Sequence, residues 1–312
     1  MKYFLQAYQE NIDNSEVRRA QVQGLSMKDG RKVNMAVNIQ EAIKDWVVSP
    51  PHVYIKLKET LEDPRSSFRE FSGIIGNDPA LTARLLKIVN SSFYGLESEV
   101  DTITHALGII GTEQLTELVL ATSVTEQFPS IPERLVNMDL FWKHSIACGV
   151  TAKIIASWNR KRHLESYYLA GMLHDIGSLI IYKKFPDEAE KVLARCKNKK
   201  ENLFDVEREI FGASHAKIGG GLLKGWGLPS LLYEPVYYHH RPKKANDHPL
   251  ITKIIHLADS MVDEMKLGTS GEVVANPVKP KILQALGFAE LPIEKYEEDI
   301  KDQYYTALSA FL

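Results

Sequence analysis

The chain has 312 residues, 44% hydrophobic and 25% charged, the balance of a globular protein able to bury a sizeable core. Its net charge of -2 excludes a general attraction to nucleic acid or anionic membrane, so any such contact needs a local patch. No apolar run approaches the roughly 20 residues of a membrane span, the start MKYFLQAYQENIDNSEV lacks a basic-then-apolar leader pattern, and Cys148 and Cys196 form no CxxC pair; the reading is a cytoplasmic protein with reduced thiols.

Residues 1–38 are mixed in charge and weakly periodic, an extension to which the sequence assigns no role. From Ile39 the apolar spacing is helical. Glu41 to Val48 forms a short amphipathic piece ended by Pro50-Pro51, and Tyr54 to Leu61 a second, stopped by Asp63-Pro64. Ser66 or Ser67 caps a helix over Phe68 to Ile75; Asp78 caps the next, with Pro79 at its first position and Leu81, Leu85, Ile88 and Val89 as its buried stripe. Two helices, Thr102 to Ile110 and Glu113 to Thr125, are split by Gly111, and Phe128-Pro129-Ser130-Ile131-Pro132 marks a boundary.

In the second half Asp139 is expected to cap a helix from Leu140 to Trp158, and Ser166 to about Tyr182 to form one continuous helix. Helices over Pro186 to Lys197 and Phe204 to Phe211 follow, then one N-capped by Ser214 and broken at Gly227-Leu228-Pro229, then Ser230 to His239. Pro249 opens the helix carrying His256 to Asp259, Gly268 to Pro280 is a loop, and Tyr296 to Phe311 closes the chain. With no strand period and no regular repeat, the fold class is all-α, in two lobes over 39–130 and 131–312. Trp46, Trp142, Trp158 and Trp226 read as packing residues.

The chemistry centres on Met172-Leu173-His174-Asp175-Ile176-Gly177-Ser178-Leu179, where an adjacent histidine and aspartate interrupt an otherwise apolar run. An unpartnered buried carboxylate costs several kcal/mol at least, so the pair needs partners. A divalent metal satisfies both groups, and a pair crosslinking two helices is the plainer alternative. Five of the ten histidines, His144, His174, His215, His239 and His240, fall at or near expected helix ends, and Asp175 and Asp259 complete a set drawn from separate helices. Taken singly, His215 fits a first-turn histidine, His239 and His240 fit solvent positions before Pro242, and Asp259 fits a partner of Lys253 or Lys266.

The order H…HD…H…HH…D resembles the ligand order of the HD superfamily of metal-dependent phosphohydrolases, particularly its HD-GYP branch. More specifically, IGNDPALTARLLKIVNSSFY (residues 75–94), ALGIIGTEQLTELVLATSV (106–124), FWKHS, AGMLHDIGSLII, SHAKIGGGLLKGWGLP, YYHHRP and IIHLADSM are together similar to the HDOD family, the HD-related output domain, over about Ile39 to Met265. That resemblance implies a helical bacterial signal-transduction protein acting on a protein partner or nucleotide-like ligand, with one or two divalent ions (Fe, Mn, Zn, Ni or Mg). One ion would take His144, His174, Asp175 and Asp259; the other would take Asp175, His215, His239 and His240. As an enzyme it would be a phosphohydrolase using His174 and Asp175. The active branch carries a lysine after HDIG, where this chain has Ser178, and a Glu after the double histidine, where it has Arg241-Pro242. Ser178, Arg241 and Lys143 are the candidate phosphate contacts. These departures favour metal binding over cyclic dinucleotide hydrolysis.

The glycines at 108–111 and 219–221 follow no strand, so phosphate-cradling loops fail and close helix approach is the better account. Lys197 to Lys200 reads as a solvated helix end. A helix-turn-helix near Asn77 to Asn90 would carry only Arg84 and Lys87 as bases, which does not support DNA reading.

Overall fold

The computed structural model describes residues 49–91, 94–128, 131–161 and 164–311. The expected extension over 1–38, the piece at Glu41 to Val48 and Trp46 lie outside them. Among the described residues there is no strand, and the buried apolar side chains form one contiguous core.

The first five helices are α1 (His52–Glu62), α2 (Phe68–Gly76), α3 (Pro79–Val89), α4 (Ile103–Ile110) and α5 (Thr112–Val124). Their ends follow local chemistry. Ser67 and Glu70 form a capping box on α2, the Asp78 carboxylate accepts from Leu81 N at 3.0 Å with Pro79 at the first position, and the Thr102 hydroxyl accepts from His105 N at 3.1 Å. Gly111, at φ 87°, turns the chain from α4 into α5 in a conformation a side chain resists. Leu81, Leu85, Ile88 and Val89 are buried together, as their spacing predicts.

The remaining helices are α6 (Met138–Trp158), α7 (Leu164–Leu173), α8 (Ile176–Lys184), α9 (Pro186–Lys199), α10 (Leu203–Phe211), α11 (His215–Gly225), α12 (Ser230–Tyr238), α13 (Pro249–Met265), α14 (Pro280–Ala285) and α15 (Ile293–Phe311). Helix α6 is the axis: α7, α13 and α15 pack on it, α8 packs on α11, and α12 packs on α11, α7 and α13. Helix α7 also packs on α5, joining the two sets of helices.

Three expectations change. Asn137, not Asp139, caps α6, accepting from Leu140 N at 3.0 Å, and Asp139 sits in the first turn, where a negative charge suits the helix dipole. The continuous helix expected over 166–182 is broken at His174-Asp175, with Asp175 at φ -101°, ψ 9°. In an unbroken helix adjacent side chains point about 100° apart; the break turns both inward. Trp158 is 55% exposed, because it ends α6 beyond the bundle and leans on Tyr296 with ring centroids 5.2 Å apart. Trp142 and Trp226 are buried as expected, and Lys197 to Lys200 are exposed.

Two close crossings set the positions of the polar residues. A Cβ on Gly171 would lie 2.8 Å from the Cys148 carbonyl and from Gly149 Cα, so α6 and α7 meet backbone to backbone. A Cβ on Gly177 would lie 2.6 Å from Gly219 N and 2.8 Å from the His215 carbonyl carbon, so α8 and α11 do the same. Helices approach this closely only where side chains are absent.

Candidate metal centre

All seven of the sequence-selected histidines and aspartates converge. His144 projects from the second turn of α6, His174 and Asp175 from the α7–α8 break, His215 from the first residue of α11, His239 and His240 from the end of α12, and Asp259 from the middle of α13. Their side chains are at most 4% exposed. The dispersed alternatives, solvent positions for His239 and His240 or a lysine partner for Asp259, are not what the fold places there.

Asp175 sits between two groups of imidazoles and divides its oxygens between them. Oδ2 lies 3.2 Å from His174 Nε2 and 3.8 Å from His144 Nε2, while Oδ1 lies 3.3 Å from His215 Nε2 and 3.6 Å from His239 Nε2. Asp259 Oδ1 lies 3.4 Å from His144 Nε2 and 3.5 Å from His174 Nε2. His215 and His240 face each other, Nε2 to Nε2, at 2.7 Å.

The outer ring nitrogens are held in place by acceptors. Nδ1 of His174 lies 2.7 Å from the Gly171 carbonyl, Nδ1 of His239 lies 2.7 Å from the Val236 carbonyl, and Nδ1 of His215 lies 2.6 Å from the Glu207 carboxylate. Each acceptor takes a ring proton at Nδ1 and turns Nε2 toward the centre, the arrangement by which outer partners orient metal-binding imidazoles. Among the described residues, His174 Nε2 and His239 Nε2 are buried with no hydrogen-bond partner. Orphaned polar atoms of this kind are costly unless something outside the protein chain satisfies them. The donor set therefore fits a divalent cation.

Electrostatics divide the imidazoles into two kinds. Burial and the neighbouring His174 charge depress His239 to about 3, and burial with the neighbouring His239 depresses His240 well below the usual histidine range, so both rings are neutral near pH 7. For Asp175 burial opposes ionisation, but His174, His215 and His239 outweigh it and hold the carboxyl well below the usual range. Asp259 is held low in the same way, against burial, by His144 and His174. Burial lowers His174 and His215 too, but Asp175 and Asp259 outweigh it and hold His174 well above the usual histidine range, and Glu207 with Asp175 raises His215, so a cation taking these two rings must displace a proton from each.

Four residues near the centre lie outside the set that the sequence order selects. Glu207 on α10 accepts from both the ring and the backbone N of His215, at 2.6 and 2.8 Å. Asp263, one turn beyond Asp259 on α13, places Oδ1 3.7 Å from His144 Nδ1. Glu272, from the loop between α13 and α14, reaches within 3.7 Å of His240 Nε2. Burial and the charge of Asp259 raise Asp263 to about 7, and burial with Asp259 and Asp175 raises Glu272 well above the usual range. Cys148 on α6 places Sγ 3.6 Å from His144 Nε2. The i, i+4 spacing of 144/148 and 259/263 puts each pair on one helix face, the signal by which Cys148 and Asp263 were findable.

Of the candidate phosphate contacts, Lys143 and Arg241 are engaged by carboxylates, and Ser178 follows Asp175 by three residues with its N bonded to the Asp175 carbonyl at 2.9 Å. Lys143 Nζ pairs with Asp139 at 2.6 Å on the outer face of α6. The Arg241 guanidinium stacks 5.0 Å from the Phe204 ring and reaches Asp205 at 4.0 Å; the same Phe204 ring contacts His240 at 4.8 Å. Ser178 is buried in the first turn of α8. The DNA-reading alternative gains nothing: Arg84 pairs with Glu126 at 2.7 Å and Lys87 with the Ser309 carbonyl. No helix among the described residues is long and apolar enough to cross a membrane.

An all-helical bundle gathering H…HD…H…HH…D side chains into one buried centre is of the HD type. Within that class the chain belongs to the HDOD family, whose domain matches residues 47–242. Asp259 lies beyond the matched segment. The fold is shared with an HDOD domain protein of unknown function from Geobacter sulfurreducens: 23% identity, 88% of this chain, 96% of that one, TM-score 0.69. It is also shared with a protein from Shewanella amazonensis SB2B named as a candidate phosphohydrolase (20% identity, 89% and 98%, TM-score 0.68). A third, from Marinobacter aquaeolei VT8, is named as a candidate signal transduction protein (17% identity, 96% and 67%, TM-score 0.67). An uncharacterized protein of Treponema pallidum (strain Nichols) is 24% identical over 225 residues, 70% of this chain; the match spans 43% of that relative's length.

Proposed function

We propose that this HDOD protein is a signal-transduction component built around a divalent-metal centre, which stabilises the helical bundle through which it engages a protein partner or nucleotide-like ligand. The observation that carries the metal reading is the spacing of the donors. Two ligands on a tetrahedral ion with bonds of roughly 2.0–2.2 Å lie roughly 3.3–3.5 Å apart. The His–Asp separations are 3.2, 3.3, 3.4, 3.5, 3.6 and 3.8 Å, mostly too long for a hydrogen bond and close to the edges of such a polyhedron, whereas His215 and His240, 2.7 Å apart, are in hydrogen-bond contact and must part to share an ion. His144, His174, Asp175 and Asp259 would hold one ion, and Asp175, His215, His239 and His240 a second. The partition of Asp175 supports this assignment, because each of its oxygens faces a different pair of imidazoles.

That same partition favours a second reading, hydrolysis of a phosphoester. Bound ions would supply Lewis acidity and charge neutralisation for a phosphoryl group. The chain's own part would be to orient the imidazoles through Gly171, Val236 and Glu207, keep water out by burial, and hold Asp175 ionised between the two sets. Binding is ranked ahead of hydrolysis because Lys143 and Arg241 are engaged with Asp139 and Asp205, and the Glu272 loop reaches into the centre.

Elemental analysis of purified protein, after reconstitution with Mn, Fe or Zn, tests the reading. Two equivalents are expected, falling in His174→Ala and His239→Ala variants that keep the wild-type helical circular dichroism. Fewer than 0.2 equivalents (roughly, a trace level) in the reconstituted wild type would refute it. Phosphodiesterase turnover that disappears in the same variants would move hydrolysis to first place.

A further inference from the structure

Cys148 is absent from the seven-residue centre, yet its sulfur faces that centre. It is fully buried on α6, one turn beyond His144 and on the same face. Its Sγ lies 3.6 Å from His144 Nε2, and Sγ, His144 Nε2, a His174 ring nitrogen and an Asp259 oxygen all lie within 4.8 Å of one another. A nitrogen and a thiolate sulfur bound to one tetrahedral ion, with bonds of roughly 2.05 and 2.3 Å, are held roughly 3.6 Å apart. The orphaned Nε2 of His174 aims at the same space. The Gly149/Gly171 crossing brings α6 and α7 into backbone contact at this level, so sulfur and imidazole are held there by main-chain geometry.

We propose that Cys148, in place of Asp175, is the fourth ligand of the first ion, which therefore takes a thiolate sulfur together with His144, His174 and Asp259 and leaves Asp175 to the second. This rests on the metal reading above and deepens it. On binding, the Sγ–H proton is released to solvent as the sulfur–metal bond forms, with no change of oxidation state. A sulfur donor biases this position toward zinc or ferrous iron and away from magnesium, while the second position, with three imidazoles and a carboxylate, carries no such bias.

Cobalt(II) is the probe. The full-length wild type, reconstituted with Co(II), is expected to show a sulfur-to-cobalt charge-transfer band in the near ultraviolet as well as weaker visible bands. Cys148→Ser and Cys148→Ala should lose the near-ultraviolet band and keep cobalt at the second position, whereas Cys196→Ser should keep the band. X-ray absorption of the zinc form should show a sulfur scatterer near ~2.3 Å that is missing in Cys148→Ala. Bound cobalt without the ultraviolet band in the wild type, or a zinc shell of nitrogen and oxygen alone, would overturn the sulfur ligand and leave the metal centre standing. Failure of the wild type to bind cobalt or zinc would overturn both. If both Cys148 variants fail to fold, the wild-type X-ray absorption and the Cys196→Ser spectrum still decide the question.

Discussion

Replacing Gly177 with alanine tests whether the α8–α11 contact sets the geometry of the centre. The new methyl would stand 2.6 Å from Gly219 N and 2.8 Å from the His215 carbonyl carbon, where comfortable contact is roughly 3.5 Å or more. The His215 carbonyl oxygen lies closer still, so the helices must part by more than roughly 1 Å, since the opposing atoms are backbone and have no rotamer into which to retreat. Overpacking costs typically about 1–3 kcal/mol, and the rigidity of both surfaces places Gly177→Ala near the upper end. The displacement reaches the site directly, because Asp175 lies two residues before Gly177 and His215 is itself one of the clashing residues. The 3.3 Å separation of Asp175 Oδ1 from His215 Nε2 would widen, and the second ion would bind less tightly than the first. Urea unfolding gives the stability and plasma mass spectrometry gives the stoichiometry. A Gly177→Ala protein within about 0.5 kcal/mol of wild type and holding a full metal complement would refute the argument.

Glu207→Gln leaves the ring of His215 with a weaker acceptor, and metal affinity at the second position should fall ~10–100-fold in competition titrations with a chelator, with little change at the first. Leu85→Ala empties a fully buried site on α3 and should cost about 2–5 kcal/mol in urea melts while leaving metal stoichiometry intact. Glu117, hydrogen-bonded by Ser166 at 3.1 Å, is raised by burial to about 7 from 4.5, so the folded chain holds its proton more tightly than the unfolded one. Its contribution is therefore fully present below about pH 4.5 and is lost as pH rises through about 7, by at most about 3 kcal/mol. Glu117→Gln should remove that slope, gaining on the wild type as pH increases in paired denaturation curves; an unchanged slope would refute the assignment.

The helical fold was legible because its signals are local. Asp78-Pro79, Thr102, Gly111 and Ser214 each act within one turn, and the apolar stripe of α3 follows from its period alone. The inward-facing residues were legible from their order along the chain, and all seven arrive at one place. What a local reading misses depends on partners far away in sequence. The run around His174-Asp175 is otherwise apolar and helix-competent; the break brings both side chains to the polar residues of α11, α12 and α13. Glu207 sits among ordinary charged helix residues until the fold brings His215 beside it. Glu272 lies in a loop, where nothing in the residue type predicts burial. Trp158 fails for the converse reason, since an aromatic residue among apolar neighbours still ends exposed where its helix outruns the bundle.

The residues that meet at the centre span positions 144 to 259, so no fragment synthesised early contains the whole set. While α13 is still within the ribosome, His144 and His174 have emerged without the carboxylate that closes the first position. Contacts so distant along the chain form late in folding. Ion capture would then mark the arrival of a finished bundle, and a newly made chain could hold its cargo only after translation of the last contributing helix.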